Sequence, residues 1–151
     1  MRSPLIALCV ALVSACSIQL VADYDSANFE EALRIGRKVD LFYATLLETE
    51  AGDRAYATYA ARYLEIEADL RSFHLRNKVR PLNEESTQIA KDLLDLWTKY
   101  KEAHKQADVY SSDKAEIHRD RLGRMFMSAA DAETAKKLEA SDRDAAGRDA
   151  P

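Results

Sequence analysis

The sequence predicts an all-α fold, an up-down four-helix bundle, on three observations. Only 4 Gly and 3 Pro punctuate 151 residues, and alternating runs of Val, Ile and Thr are absent, so a many-stranded sheet lacks its turns and its pattern. Ala, Leu, Glu, Lys, Arg and Asp dominate, and most of these favour helix. Apolar residues recur at steps of three and four in four stretches joined by short breaks, which is how helices with one buried face read in sequence. An apolar fraction of 47% and a charged fraction of 32% fit one domain long enough to bury a core.

The first helix is predicted over 26–48, capped by Asp25 or Ser26. Phe29, Leu33, Gly36, Tyr43 and Leu47 fall on one face, widened by Ala32, Val39 and Leu46. Gly52, in the turn TEAGD, suits a helix C-terminal cap. The second helix, 53–80, carries the most regular seam of the chain: Tyr56, Tyr59, Tyr63, Ile66, Leu70 and Phe73. Pro81 ends it, because proline disfavours helix in the residue before it.

Asn83 is placed to cap the third helix, 84–107, with Glu84 and Glu85 in a first turn that favours acids. Its stripe is Ile89, Leu93, Leu96, Trp97, Tyr100, Ala103 and Ala107. The segment Asp113-Lys-Ala-Glu116 resembles a capping box opening the fourth helix. That helix is predicted to run to 140 on Leu122, Met125, Phe126 and Ala129. The small, charged ending at 141–151 reads as a disordered tail. Four such helices with short connections bury their stripes most simply in an antiparallel bundle, over 26–140.

Chemistry is sparse. Among the histidines, His74 lies near the end of the second helix, whereas His104 and His118 lie at the opposite end of an antiparallel bundle. A helix of that length spans roughly 35 Å, so all three cannot share one ion. His104 and His118 can meet, with Tyr56, Tyr59, Tyr100 and Tyr110 nearby. That makes them weak candidates for a metal or small-ligand site, and no His-x-x-Glu motif accompanies them. Asp40 and Asn77 interrupt the apolar seams. The bland reading has Asp40 paired with an arginine such as Arg71 or Arg124 and Asn77 fixing register, rather than lining a pocket. No Gly-x-Ser-x-Gly and no phosphate-binding glycine loop is present, so no catalytic residue and no cofactor is expected. A net charge of −4 with interspersed signs gives no basic patch for nucleic acid.

The N-terminus is more specific. Arg2 is followed by an apolar run from Pro4 to Val13, then by Ser14 and Ala15, the layout of a secretory signal peptide over 1–15. The run is much shorter than the roughly 20 residues a bilayer span requires. Val13-Ser14-Ala15-Cys16 resembles the lipobox of bacterial lipoproteins, in which an apolar residue and two small ones precede a cysteine. The resemblance implies that Cys16 is acylated and becomes the first mature residue. It also implies an anchor in the membrane, a lipidated tether over 16–25, and a protein partner in the envelope. Ser17, in place of an Asp that favours inner-membrane retention in enteric-type bacteria, leans toward the outer membrane, facing the periplasm. Removal of Cys9 with the signal peptide leaves Cys16 as the sole cysteine, so the fold must stand without a disulfide. With its Tyr24-Asp25 before the first helix, the chain also resembles small helical lipoproteins of bacteria, a group that carries no activity over. The expectation is a non-enzymatic binding or interaction module, with a ligand- or metal-binding bundle using the His104/His118 end as the alternative.

Overall fold

The structure, a computed structural model, describes residues 21–148 and the side chains of 21–142. Cys16 and the signal peptide lie outside the described residues. Four helices follow in order: α1 (Ser26–Glu48), α2 (Tyr56–Lys78), α3 (Glu84–Ala107) and α4 (Ser112–Arg148), with a short 3-10 turn at Ala51–Asp53. Neighbours in sequence run antiparallel, and α4 closes the ring by packing along α1. This is the up-down bundle. Asp25 caps α1 by accepting hydrogen bonds from the N–H groups of Ala27 (2.9 Å) and Asn28 (3.1 Å).

The α1 core face is turned from the one predicted. Ala32, Ile35, Val39, Phe42, Tyr43 and Leu46 are buried, whereas Leu33 is exposed. The true stripe steps through 32, 35, 39, 42 and 46, and Asp40 falls outside it, exposed. It pairs not with Arg71 or Arg124 but with Arg119 on α4, at 2.6 Å. Between α1 and α4, a Cβ built on Gly36 would stand 3.1 Å from the Phe126 ring. The missing side chain is what lets these two helices close over Phe126.

The α2 seam is as expected from Tyr59 to Phe73, but the helix begins at Tyr56 and stops at Lys78. Gly52 sits in the 3-10 turn without a positive φ, while α1 ends on an extended Thr49. The left-handed cap of the bundle is Asp108, after α3, with φ 52°. On α3, Leu93, Trp97 and Tyr100 are buried, but Ala103 and Ala107 are exposed, and His104 takes the core position. Ser111, not a box built on Asp113, starts α4: its carbonyl accepts from the Ala115 N–H at 3.0 Å. Past Ala140, helical backbone continues to Arg148, through part of the segment read as a tail.

Inside, the bundle is aromatic in one half and mainly aliphatic in the other. Phe42 lies 4.6 Å from Tyr63 and 5.1 Å from Trp97, ring centre to ring centre. The Trp97 indole N–H donates to the Tyr63 carbonyl at 3.2 Å. Below this layer Ile35, Leu70, Leu93 and Ala90 are fully buried. Ion pairs tie helices together: the partly exposed Lys38 of α1 with Asp69 of α2 at 2.9 Å, and the largely buried Lys101 of α3 with Glu67 of α2 at 2.6 Å. Burial raises the Glu67 carboxyl, but the hydrogen bonds from Lys101 and Arg71 outweigh it and hold it below the usual carboxylate range. Among the described residues no helix is long and apolar enough to cross a membrane.

Candidate functional site

The antiparallel topology gathers polar side chains at both ends of the bundle. One end holds the C-terminus of α1, the start of α2, the end of α3 and the start of α4. Here Arg54, 4% exposed, closes the end of α1. Its guanidinium donates to the carbonyls of Thr49 (2.8 Å), Leu47 (3.3 Å) and Tyr110 (3.0 Å) and to the Ser112 hydroxyl (3.0 Å). A cation at the negative end of a helix dipole is favourable, and the Leu47 and Thr49 carbonyls are orphans that the end of α1 cannot satisfy itself.

His104 joins this end from α3. Its Nε2 lies 2.8 Å from the Arg54 carbonyl, which can only accept, so Nε2 carries the proton. Nδ1 then accepts from the Tyr63 hydroxyl at 3.1 Å. Burial lowers the pKa of His104, and the ring is neutral at pH 7. His118, half-buried on α4, stacks on Tyr100 with centroids 3.4 Å apart and hydrogen-bonds to the Tyr110 hydroxyl through Nδ1. The phenol is the better acid and donates, and Tyr43 approaches Tyr110 from the other side at 3.4 Å. Burial, helped by the charges of Arg121, Lys114 and Lys99, brings His118 down to about 4.

The sequence pairing of His104 with His118 is thus realised through Tyr110, whose ring stands edge-on to both. Both His104 nitrogens are occupied by the protein's own groups, leaving no lone pair for a metal. Among the described residues no cluster of three or more His, Cys, Asp or Glu side chains is set to hold an ion. The adjacent cleft, lined by Ala103, Ala107, Val109 and Lys114 with these rings, encloses about 40 Å³. That is water-sized, against the roughly 300 Å³ and more of ligand pockets. His74 lies half-buried toward the far end of α2.

The other end, which carries the chain segment leading into α1, is built around Glu133 of α4, fully buried. Its Oε1 accepts from Asn28 Nδ2 (2.8 Å), Arg80 (2.9 Å) and Lys136 Nζ (2.8 Å), and its Oε2 from the Asp25 backbone N–H (3.2 Å). Burial raises this carboxyl, but those donors outweigh it, and Glu133 stays ionised with a lowered pKa. Lys136 also donates to Asn83 Oδ1 (2.5 Å) and Ser86 Oγ (2.7 Å). Asn77 exchanges two hydrogen bonds with Asn28, at 2.9 and 3.1 Å, and accepts a third from Asn83 at 3.0 Å. So Asn77 does sit on the seam, as one member of a network that joins all four helices. Asn83 precedes α3 as expected, but its side chain makes no capping bond because Asn77 and Lys136 hold it.

Sequence reading missed Glu133, Lys136, Arg80, Asn28 and Arg54. A signal was present for three of them. Asn28 lies one turn before Ala32 on the true α1 stripe, and Glu133 and Lys136 continue the α4 stripe after Phe126 and Ala129. Arg54 and Arg80 lie in connections, where no periodicity marks them.

Comparison with protein-family models, with curated proteins and with solved structures finds no match to this chain.

Proposed function

We propose that this chain is a lipid-anchored bacterial envelope protein, a non-enzymatic binding or interaction module at the outer membrane, facing the periplasm. The observation that carries this reading is Val13-Ser14-Ala15-Cys16, placed directly after a short apolar run and directly before a folded bundle. The start of that bundle supports it: at Ala22 the chain is already hydrogen-bonded to the α2–α3 connection, so an acyl group on Cys16 would tie a finished domain to a membrane. The buried ionisable groups support the non-enzymatic part. Glu133, Lys136, Arg54 and His104 spend their hydrogen bonds on their own chain, and no buried side-chain N or O atom among the described residues lacks a partner. Ligand binding at the His104/His118 end has less support, since the imidazole that faces inward is already bonded on both sides.

The test is fatty-acid labelling in a bacterial host. Labelled palmitate should enter the wild-type chain, and Cys16→Ser should abolish the label and leave an uncleaved precursor. Undiminished labelling of Cys16→Ser would refute the anchor.

A further inference from the structure

Building on the lipid attachment proposed at Cys16, we infer that the tether-bearing end of the bundle is a membrane-contact face. Leu75, Val79 and Leu82 would lie against the bilayer that the acyl chains enter. The first observation is the shortness of the leash. Ala22 is 5% exposed, and its N–H donates to the Leu82 carbonyl at 2.8 Å. Arg80 donates to the Asp23 carbonyl, and the Asp25 N–H to Glu133. The chain is therefore fixed to this end of the bundle six residues after Cys16, a span of roughly 20 Å even when extended. The bundle itself is roughly 35 Å long. An acylated Cys16 holds the Leu82 end within the tether's reach of the membrane, and an upright bundle carries the His104 end away from it.

The second observation is what that end exposes. Leu75 is 60% exposed, Val79 71% and Leu82 43%. Leu75 and Val79 stand one turn apart at the end of α2, and Leu82 follows in the connection to α3, beside the incoming tether. Leu82 also has φ 56°, a left-handed conformation in which its Cβ crowds the following carbonyl and which Gly or Asn adopts more readily. Leu82 thus leaves 43% of its surface in water despite a strained backbone. Its side chain gains if it is buried by something outside the chain.

Helix α4 sets the pose. Lys136 meets Asn83 and Ser86 at the start of α3, and twelve further residues to Arg148 add roughly 18 Å of helix beyond that level. This overhang keeps the end of the bundle from lying flat. Because α4 packs on α1 and α3, the opposite corner is α2, and a bundle leaning on α4 brings Val79 and Leu82 down. Arg76 and Lys78 flank the apolar residues on α2, while Glu84 and Glu85 stand across the loop. With the charges mixed, the contact is apolar rather than ionic.

The mature chain has no cysteine besides Cys16, so a single added cysteine can carry a polarity-sensitive fluorophore. The probes are Val79→Cys and Leu82→Cys at the proposed face and Ile117→Cys, an exposed site near the other end. The acylated protein is reconstituted in phosphatidylcholine–phosphatidylglycerol vesicles. Labels at 79 and 82 should shift to the blue and lose quenching by aqueous iodide, at low and high salt alike, while the label at 117 keeps both. Leu82→Asn, which suits the backbone better, should leave melting unchanged or raised and yet weaken the shift at 79. Labels at 79 and 82 as open to iodide as that at 117, on protein whose acyl mass is verified, would overturn the face and leave the anchor standing. Protection at 79 without vesicles, rising with protein concentration, would overturn it in favour of a second copy. Absence of the acyl mass would overturn the anchor and this inference together.

Discussion

At the His104 end of the bundle, one buried guanidinium meets three carbonyls and a hydroxyl, with two neutral imidazoles bonded nearby. At the Glu133 end, a buried carboxylate accepts from a lysine, an arginine and an asparagine, and two further asparagines extend the network. Both ends close the same bundle, and both satisfy the groups they bury. The difference lies in what each holds. Arg54 and His104 tie helix ends to one another: the end of α1 to the start of α4, and the end of α3 to the residues leading into α2. Glu133 joins residues far apart in sequence, from Asp25 through Arg80 to Lys136, and so holds the entering chain to the bundle. A single cation set against carbonyl oxygens is enough to finish a helix end. Gripping a separate segment in the interior uses buried charges of both signs, whose hydrogen bonds are strong and costly to leave half-made.

The largest effect expected from this contrast is at Glu133. Glu133→Ala leaves Lys136 and Arg80 without their shared carboxylate and should cost about 3–5 kcal/mol, as removal of one partner of a buried pair does. Urea unfolding measures it, and hydrogen exchange should show the Asp25 and Ala22 amides released first. A loss below about 1 kcal/mol would place Glu133 with ordinary surface pairs and erase the distinction between the ends.

His104→Phe should cost less. The ring volume is kept, but the Arg54 carbonyl and the Tyr63 hydroxyl lose their partner, a penalty of about 1–3 kcal/mol. Circular-dichroism melting of this variant beside Glu133→Ala tests the order. A His104→Phe loss equal to or above that of Glu133→Ala would reverse it.

The smallest effect is a difference in acid response. His118 has its pKa brought down from 6.5 to about 4, so between those values the unfolded chain binds a proton that the folded chain does not. Stability from this group is complete above pH 6.5 and is lost as pH falls toward 4, and His104, lowered in the same direction, adds to the slope. Glu133 is also lowered, but from 4.5, so its contribution is complete above that pH and fades only below it. Melting temperature should therefore begin to fall on the histidine side first, and His118→Gln should flatten the profile between pH 6.5 and 4. An unchanged profile in that variant would mean that His118 titrates alike folded and unfolded.

Much of this molecule is legible before folding. The helical class, the four stretches, the α2 seam from Tyr59 to Phe73 and the start of α1 at Asp25 follow from spacing and capping, which act within a turn or two of chain. The pairing of His104 and His118 at one end follows from alternating direction and helix length alone. Which side of α1 faces inward did not follow. Leu33 and Ile35 are equally apolar, and the choice of Ile35 depends on where α4 lies, with Gly36 admitting Phe126.

The polar ends were decided by tertiary structure for the same reason. Whether Asn83 caps a helix or serves a lysine depends on Lys136, more than fifty residues away. Whether His104 can bind an ion depends on the Arg54 carbonyl and the Tyr63 hydroxyl. Local sequence sets each residue's donors, acceptors and position on its helix. Only the assembled bundle excludes water and brings distant donors within 3 Å, and there a carboxylate such as Glu133 becomes a buried centre rather than one more charge on a wet face.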